Sequence, residues 1–209
     1  MTNQKRVRKT PEQRRADVHS AARSIALESG LSAVTQRAVA ERVGVAPALI
    51  THYVSRMELL VAEVFRDISQ EELASVRATV EAVEGDEVEQ VLTLLRELIH
   101  DFRRDVALVW LDGWSLSRRN DELAGVLVEE ARAWEEFVAG IFARGDAAGA
   151  FSAPEPLALA RFVVGAPDGL SAQSAVWAGY EDETARYVVE TVAALLRIPA
   201  GDAPRTASY

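Results

Sequence analysis

The sequence predicts an all-α protein of about nine helices, in which a three-helix N-terminal domain precedes a larger helical domain. Two observations support this prediction. Apolar residues recur at helical spacing along most of the chain, without a sustained alternation of apolar and polar residues. In addition, a glycine separates two short helical patterns near the N-terminus, which is the arrangement of a helix-turn-helix.

The first helix has a clear start and a clear end. Residues 1–9 are polar and basic, and we expect them to form a disordered arm. Thr10 can cap the helix, Pro11 suits its first position, and Gln13 completes a capping box. Gly30 is expected to end the helix in a left-handed conformation. The predicted buried face consists of Val18, Ala21, Ala22 and Ile25.

Two short helices follow and complete a helix-turn-helix domain at residues 10–56. The second helix begins at Thr35 and ends at Gly44, and the third begins at Ala46-Pro47. In such a unit the last helix can enter the major groove of DNA. The residues predicted to point inward are Val39, Ala40, Val43, Val45, Leu49 and Ile50, which leaves Ala48, Thr51 and His52 facing outward.

The remaining chain, residues 57–198, is predicted to be a helical ligand-binding and dimerisation domain. Its first helix should run from Met57 to about Val83, and a disordered tail should occupy residues 199–209. Pro167 should kink the eighth helix, because helix interiors tolerate proline badly. Further helices are predicted near 86–103, 105–118, 121–145, 154–178 and 181–197.

Composition excludes several classes of protein. The 209 residues are 49% apolar, which is enough for a sizeable core, and the absence of cysteine excludes a disulfide framework and a thiolate zinc site. Three scattered histidines give no metal-ligand spacing, so neither a metal nor a cofactor is expected. No apolar run reaches the ~18 residues of a membrane span. Without a signal-peptide pattern, we expect a cytoplasmic protein with no membrane partner.

The charge is distributed unevenly. The net charge is −9, yet residues 1–65 carry ten Lys or Arg and only six Asp or Glu. A basic segment attached to an acidic body indicates that one surface meets a polyanion. This asymmetry supports DNA as the partner of the helix-turn-helix.

The N-terminal residues resemble the TetR/AcrR family of one-component repressors. The resemblance implies a nine-helix, Ω-shaped homodimer that binds a double-stranded DNA operator and a small organic effector of unknown identity. The residues that carry it are Gly30-Leu31, Thr35, Val39-Ala40, Val43-Gly44-Val45, Leu49-Ile50 and His52-Tyr53, within the stretch from Ala21 to Leu60.

The same resemblance assigns roles to individual residues. Thr35 matches a position that contacts a phosphate, and Tyr53 matches an aromatic residue that contacts the DNA backbone. The family usually has Lys where this chain has Met57, and Arg56 is a candidate replacement. The family usually has Ser where this chain has Ala46, and the substitution removes one capping hydrogen bond. The family also usually has Phe where this chain has Val54. The full predicted DNA-binding set is Thr35, Gln36, Arg37, Ala46, Pro47, Ala48, Thr51, His52, Tyr53 and Arg56.

The C-terminal part of the chain contains Trp110-Leu111-Asp112-Gly113-Trp114, the stretch from Asn120 to Leu127, and Asp168-Gly169-Leu170. With these residues it resembles the BetI-like branch of the family. Aromatic walls with an acid suit a cationic ligand. The alternative is that the aromatic residues form core and the acids are surface groups or caps. The candidate ligand-binding residues are Trp110, Asp112, Trp114, Phe137, Asp168 and Trp177.

Helices eight and nine are predicted to form the dimer interface, since two helices from each subunit make a four-helix bundle. The alternative is that their apolar faces are buried within one subunit. The candidate interface residues are Phe162, Leu170, Val188, Thr191, Val192 and Leu195.

The favoured function is a repressor released from a palindromic operator by a small molecule, although an activator would need the same motif. A helical scaffold that has lost DNA binding is the alternative, motivated by Val54, Met57 and the acidic net charge. An enzyme is not expected, because paired acids such as Glu71-Glu72 point about 100° apart on a helix, with no nucleophile or metal cluster beside them.

Overall fold

The computed structural model describes residues 9–99, 104–174 and 181–198. Within these ranges the chain is entirely helical, which confirms the predicted fold class. The α-helices are α1 Pro11–Ser29, α2 Gln36–Val43, α3 Pro47–Tyr53, α4 Met57–Glu81, α5 Glu87–Ile99, α6 Arg104–Leu116, α7 Asp121–Ala147, α8 Pro156–Ser174 and α9 Glu181–Leu195. Two 3₁₀ turns, Leu31–Ala33 and Ser117–Arg119, precede α2 and α7.

The start of α1 is the capping box that the sequence predicts. The Thr10 amide donates to Gln13 Oε1 at 2.9 Å, and the Gln13 amide donates to Thr10 Oγ1 at 3.2 Å. The end of α1 differs from the prediction. Gly30 has φ +83° and ψ 165°, outside the left-handed helical region, and this conformation is accessible essentially to glycine alone. It leads the chain directly into the 3₁₀ turn instead of closing a standard cap.

The helix-turn-helix is set by local signals. Thr35 caps α2, with its Oγ1 accepting from the Ala38 amide at 3.2 Å. Gly44 ends α2 in the left-handed conformation, at φ +73°. No other group lies within 4 Å of a Cβ placed there, so this turn needs glycine for its backbone angle. Ala46 caps α3 without a side-chain hydrogen bond, as its missing hydroxyl predicts.

The third helix buries less than predicted. Ile50 is fully buried, but Leu49 remains 41% exposed, so the prediction that Leu49 points inward is wrong. A helix of seven residues presents one narrow face to the core, and Leu49 lies about 100° from Ile50 around the helix. Val43 and Val45 are partly buried against the same core.

Two apolar clusters fill the interior. The first joins α1, α2 and α3 to the first half of α4, and it also includes Val106 and Val109 of α6 and Leu123 of α7. The second packs the remainder of α4 with α5, α7, α8 and α9. Trp110 of α6 lies against both clusters. The N-terminal helices therefore share a core with the rest of the chain.

The helix α8 continues through Pro167 to Ser174. Residues 1–8 of the predicted arm (1–9), the predicted tail (199–209) and residues 100–103 of the predicted fifth helix lie outside the described residues. Among the helices that are described, none is long and apolar enough to cross a membrane.

Candidate DNA-binding surface and effector site

The outward face of α3 carries the residues that sequence analysis assigned to DNA. Ala46, Pro47, Ala48, Thr51 and His52 are all exposed. Tyr53, at the end of α3, is half-buried and packs against the first apolar cluster. Its ring therefore contributes to folding as well as to any contact of its hydroxyl group.

Two side chains that were predicted to contact DNA make hydrogen bonds within the helix-turn-helix instead. Gln36 donates from Nε2 to the Pro47 carbonyl at 2.7 Å, so it braces the start of α2 against the start of α3. Thr51 donates from Oγ1 to the Ala48 carbonyl at 2.8 Å, which leaves its hydroxyl oxygen only as an acceptor. Thr35 differs, because its Oγ1 accepts the capping bond and keeps a proton for a phosphate.

Most of the positive charge on the described N-terminal residues, from Lys9 to Phe65, is paired. Lys9 lies 2.7 Å from an Asp17 carboxylate oxygen, and Arg14 lies 3.8 Å from the same carboxylate. Arg42 makes two hydrogen bonds to Glu28, and this pairing lowers the pKa of the Glu28 carboxyl. The remaining pair in this group is Arg23 with Glu71.

Arg56, a predicted DNA contact, is also paired in the DNA-free subunit. Its Nη2 lies 2.5 Å from Glu122 Oε1, which joins the start of α4 to the start of α7. Of the Lys and Arg side chains in the described residues up to Leu60, only those of Arg15 and Arg37 have no ion-pair or hydrogen-bond partner. Arg37 was among the predicted contacts, whereas Arg15 was missed because nothing in its local sequence distinguishes it from Arg14.

Asp112 binds the N-terminal domain and does not face the same side as the tryptophans. Its Oδ2 accepts from the Ser32 amide at 2.8 Å, and a Cβ at Gly30 would come within 2.5 Å of that oxygen. Trp110 and Trp114 lie one turn apart, so the residue midway between them points to the opposite face. Asp112 therefore does not belong with the ligand-binding candidates. It forms a contact between α6 and the N-terminal domain.

The two indoles of α6 each donate to a carboxylate. Trp110 Nε1 donates to Glu72 Oε2 at 3.2 Å, and its ring meets Phe65 edge-on with centroids 4.9 Å apart. Trp114 Nε1 donates to Asp168 Oδ2 at 2.9 Å. The indole rings lie 6.4 Å apart, and Trp114 is 44% exposed. Sequence analysis missed Glu72, whose role depends on the packing of α4 against α6.

The environment of Asp168 is partly apolar. Burial raises the pKa of the Asp168 carboxyl, and the hydrogen bond from Trp114 opposes that shift. A desolvated carboxylate gains stability from a nearby cation. The structure thus places Trp110, Trp114 and Asp168 together on one side of α6.

The other two ligand-binding candidates are not part of that group. Phe137 is buried in the second cluster, where the Arg77 guanidinium stacks over its ring at 4.9 Å. Phe137 is therefore a core residue, as the alternative interpretation of the aromatic residues expected. The prediction that it lines the effector site is wrong. Trp177 lies outside the described residues.

The candidate interface residues on α8 and α9 divide into two sets. Phe162 and Leu195 are each 51% exposed, and Thr191 is also exposed. Val192 is fully buried in the second cluster, so it is corrected from the interface to the core of its own subunit. Val188 is partly buried against that cluster, and Leu170 is half-buried.

A family model for the C-terminal domain of BetI-type transcriptional repressors matches residues 87–197, just over half of the chain. A comparison with curated protein sequences gave no significant match.

Several solved structures share the fold. A putative transcriptional regulator from Saccharomonospora viridis in complex with choline is 19% identical, with a TM-score of 0.75, and the match covers 87% of this chain and 96% of that one. A TetR transcription regulator from Haloarcula marismortui is 17% identical, with a TM-score of 0.73 and 88% and 98% coverage. A transcriptional regulator from Rhodococcus sp. Rha1 is 20% identical, with a TM-score of 0.70 and 90% and 96% coverage. At these identities the likeness shows the fold alone.

Replacing Asp112 should test the contact between α6 and the N-terminal domain. Asp112→Ala should lower the free energy of unfolding by about 1–3 kcal/mol, because it removes a charged acceptor from the Ser32 amide. Asp112→Asn keeps an acceptor oxygen and should recover much of this loss. Urea denaturation monitored by circular dichroism measures both variants. Equal stability of wild type and Asp112→Ala would show that the contact contributes nothing.

Proposed function

Because the chain belongs to the TetR family of transcriptional regulators, with a C-terminal domain of BetI type, we propose that it is a repressor released from its DNA operator by a small organic molecule. The observation that carries the proposal is the helix-turn-helix, with a capped α2 and a fully exposed outer face on α3. Major-groove entry by such a helix can recognise a sequence. Action on an operator places the protein in the cytoplasm.

The proposed repressor acts as a homodimer on a near-palindromic operator, since a two-fold protein is matched by a two-fold site. Exposed apolar side chains on α8 and α9 support this arrangement. Phe162 and Leu195, together with Tyr187, are exposed in the single subunit and would be available to a four-helix bundle between two subunits.

The proposed effector is a cationic or amphipathic organic molecule bound beside α6. Two indoles and the partly desolvated Asp168 carboxylate supply the chemistry that recognises an organic cation. The choline complex of the Saccharomonospora viridis structure shows such a molecule bound to a protein of the same fold. To act as an inducer, the molecule must bind more tightly to the DNA-free shape than to the DNA-bound one.

The second candidate is a helical ligand-binding protein with weak or lost DNA binding. The observation that favours it is the scarcity of unpaired cations, since only Arg15 and Arg37 are unpaired among the described residues up to Leu60. Binding of a duplex separates the two candidates.

Tyr53 is predicted to contact the DNA backbone through its hydroxyl group. Tyr53→Phe should weaken binding severalfold, and equally on operator and unrelated DNA, because a phosphate contact carries no base information. This variant keeps the ring that packs against the core, whereas alanine would also perturb the fold. Fluorescence anisotropy with labelled duplexes measures the effect. Unchanged affinity on both duplexes would remove Tyr53 from the DNA-binding surface.

Leu195→Glu should convert the dimer into monomers. The side chain is exposed in one subunit, so the change spares the subunit core but places an unpaired charge in the proposed interface. Leu49→Glu is a matched control, because Leu49 is an exposed leucine on α3. Sedimentation at micromolar concentration should show a dimer for wild type and Leu49→Glu and a monomer for Leu195→Glu. A monomeric wild type would contradict the proposed assembly.

The effector proposal is tested by a matched pair of small molecules. Choline should quench tryptophan fluorescence and release DNA, while its neutral isostere 3,3-dimethylbutan-1-ol should do neither, because only the cation is attracted to the indoles and Asp168. Asp168→Asn and Trp114→Phe should each weaken the choline response about tenfold or more. Trp134→Phe is the control, since Trp134 is buried in the second cluster. Equal responses to both molecules would show that charge is not recognised.

A further inference from the structure

A cleft of about 650 Å³ separates α1 from the end of α3 and the start of α4. Arg15 and His19 of α1 line one side, and His52 and Tyr53 of α3 line another. The cleft therefore adjoins the face of the recognition helix that is expected to meet DNA. No role in DNA binding was assigned to α1 by the sequence.

Arg15 is the unpaired cation of this cleft. Its neighbour Arg14 is directed to Asp17 at 3.8 Å, and the cleft histidine of α1, His19, lies 3.5 Å from Asp67. Arg15 has no such partner among the described residues and is exposed. A free guanidinium is suited to an oxyanion, because it can donate two parallel hydrogen bonds.

We propose that this cleft binds a backbone phosphate of the operator, with Arg15 as the principal donor. Tyr53 and Ser55 also line the cleft, and each side chain carries a hydroxyl group that can serve as a further donor. One carboxylate, Glu63, lies on its wall and limits how deeply an anion enters. The inference rests on the proposed DNA binding and adds α1 to the DNA-contacting surface.

The proposed contact supplies positive charge on α1 in addition to that of Arg56 at the start of α4. Arg56 is shared with Glu122 in this structure, and Met57 carries no charge. A phosphate bound by Arg15 would hold α1 and α3 against the same strand and so fix the depth of the recognition helix in the groove. It would add affinity for any sequence and leave base preference unchanged.

The experiment compares two adjacent arginines. Duplexes selected by the wild-type protein from a random library, and a scrambled duplex of equal length, are titrated at several salt concentrations by fluorescence anisotropy. Arg15→Gln should weaken binding about tenfold on both duplexes and lower the slope of log K against log salt by about 0.9 per lost phosphate contact. Arg15→Lys should keep the slope. Arg14→Gln removes the same charge one position away and should change affinity about twofold or less.

Two results would overturn the inference while leaving the repressor in place. One is an equal loss for Arg15→Gln and Arg14→Gln, which would reflect net charge alone. The other is a loss for Arg15→Gln on selected duplexes only, which would indicate a base contact. A wild-type protein that selects no duplex would contradict the proposed function itself. Thermal melting of each variant checks that the fold is intact, as expected for an exposed position.

Discussion

The contact of Asp112 with the turn after α1 fixes the position of α6, and both candidate sites depend on that helix. The carboxylate accepts from the Ser32 amide, and Gly30 leaves it room that any Cβ would fill. The next residue, Gly113, lets α6 lie close to α4, because a Cβ at this position would be only 2.9 Å from the Phe65 ring. The indoles lie on the other face of α6. If a ligand at the indoles rotated α6, Asp112 would move with the helix and shift the 3₁₀ turn that precedes α2. This link is a physical basis for coupling the effector site to the DNA-binding surface.

Local signals in the sequence predicted local structure well. The capping box at Thr10, the cap at Thr35 and the left-handed turn at Gly44 each depend on residues a few positions apart, and the structure has all three. Leu49 and Asp112 were misplaced because their surroundings come from other helices. A period of 3.6 residues identifies an apolar face but not its width, and it places a carboxylate on a helix without naming its partner.

The same limit applies to charge. Counting Lys and Arg predicted a basic N-terminal region, but the count says nothing about which cations are already paired. Acceptors far along the chain, Glu71 for Arg23 and Glu122 for Arg56, neutralise part of the excess. What remains free is set by tertiary packing, and for that reason the sequence could not separate Arg15 from Arg14. Among the described residues, the free cations are thus fewer, and more localised on α1 and α2, than composition alone suggested.

The pairing of Arg56 with Glu122 is nevertheless compatible with DNA binding. Both partners of the Arg56–Glu122 pair are about half exposed, at 53% and 49%, and pairs of that kind contribute roughly 0–1 kcal/mol. A charge-assisted hydrogen bond to a phosphate is worth at least as much, about 1.5–3 kcal/mol. Exchanging Glu122 for a phosphate would therefore cost little. It would remove one of the contacts between the start of α7 and the start of α4, while the hydrogen bond from Asn120 Nδ2 to the Glu58 carbonyl, at 3.1 Å, would remain. DNA and the C-terminal domain then compete for one guanidinium, so the ion pair is compatible with a regulator whose DNA affinity depends on the arrangement of its C-terminal helices.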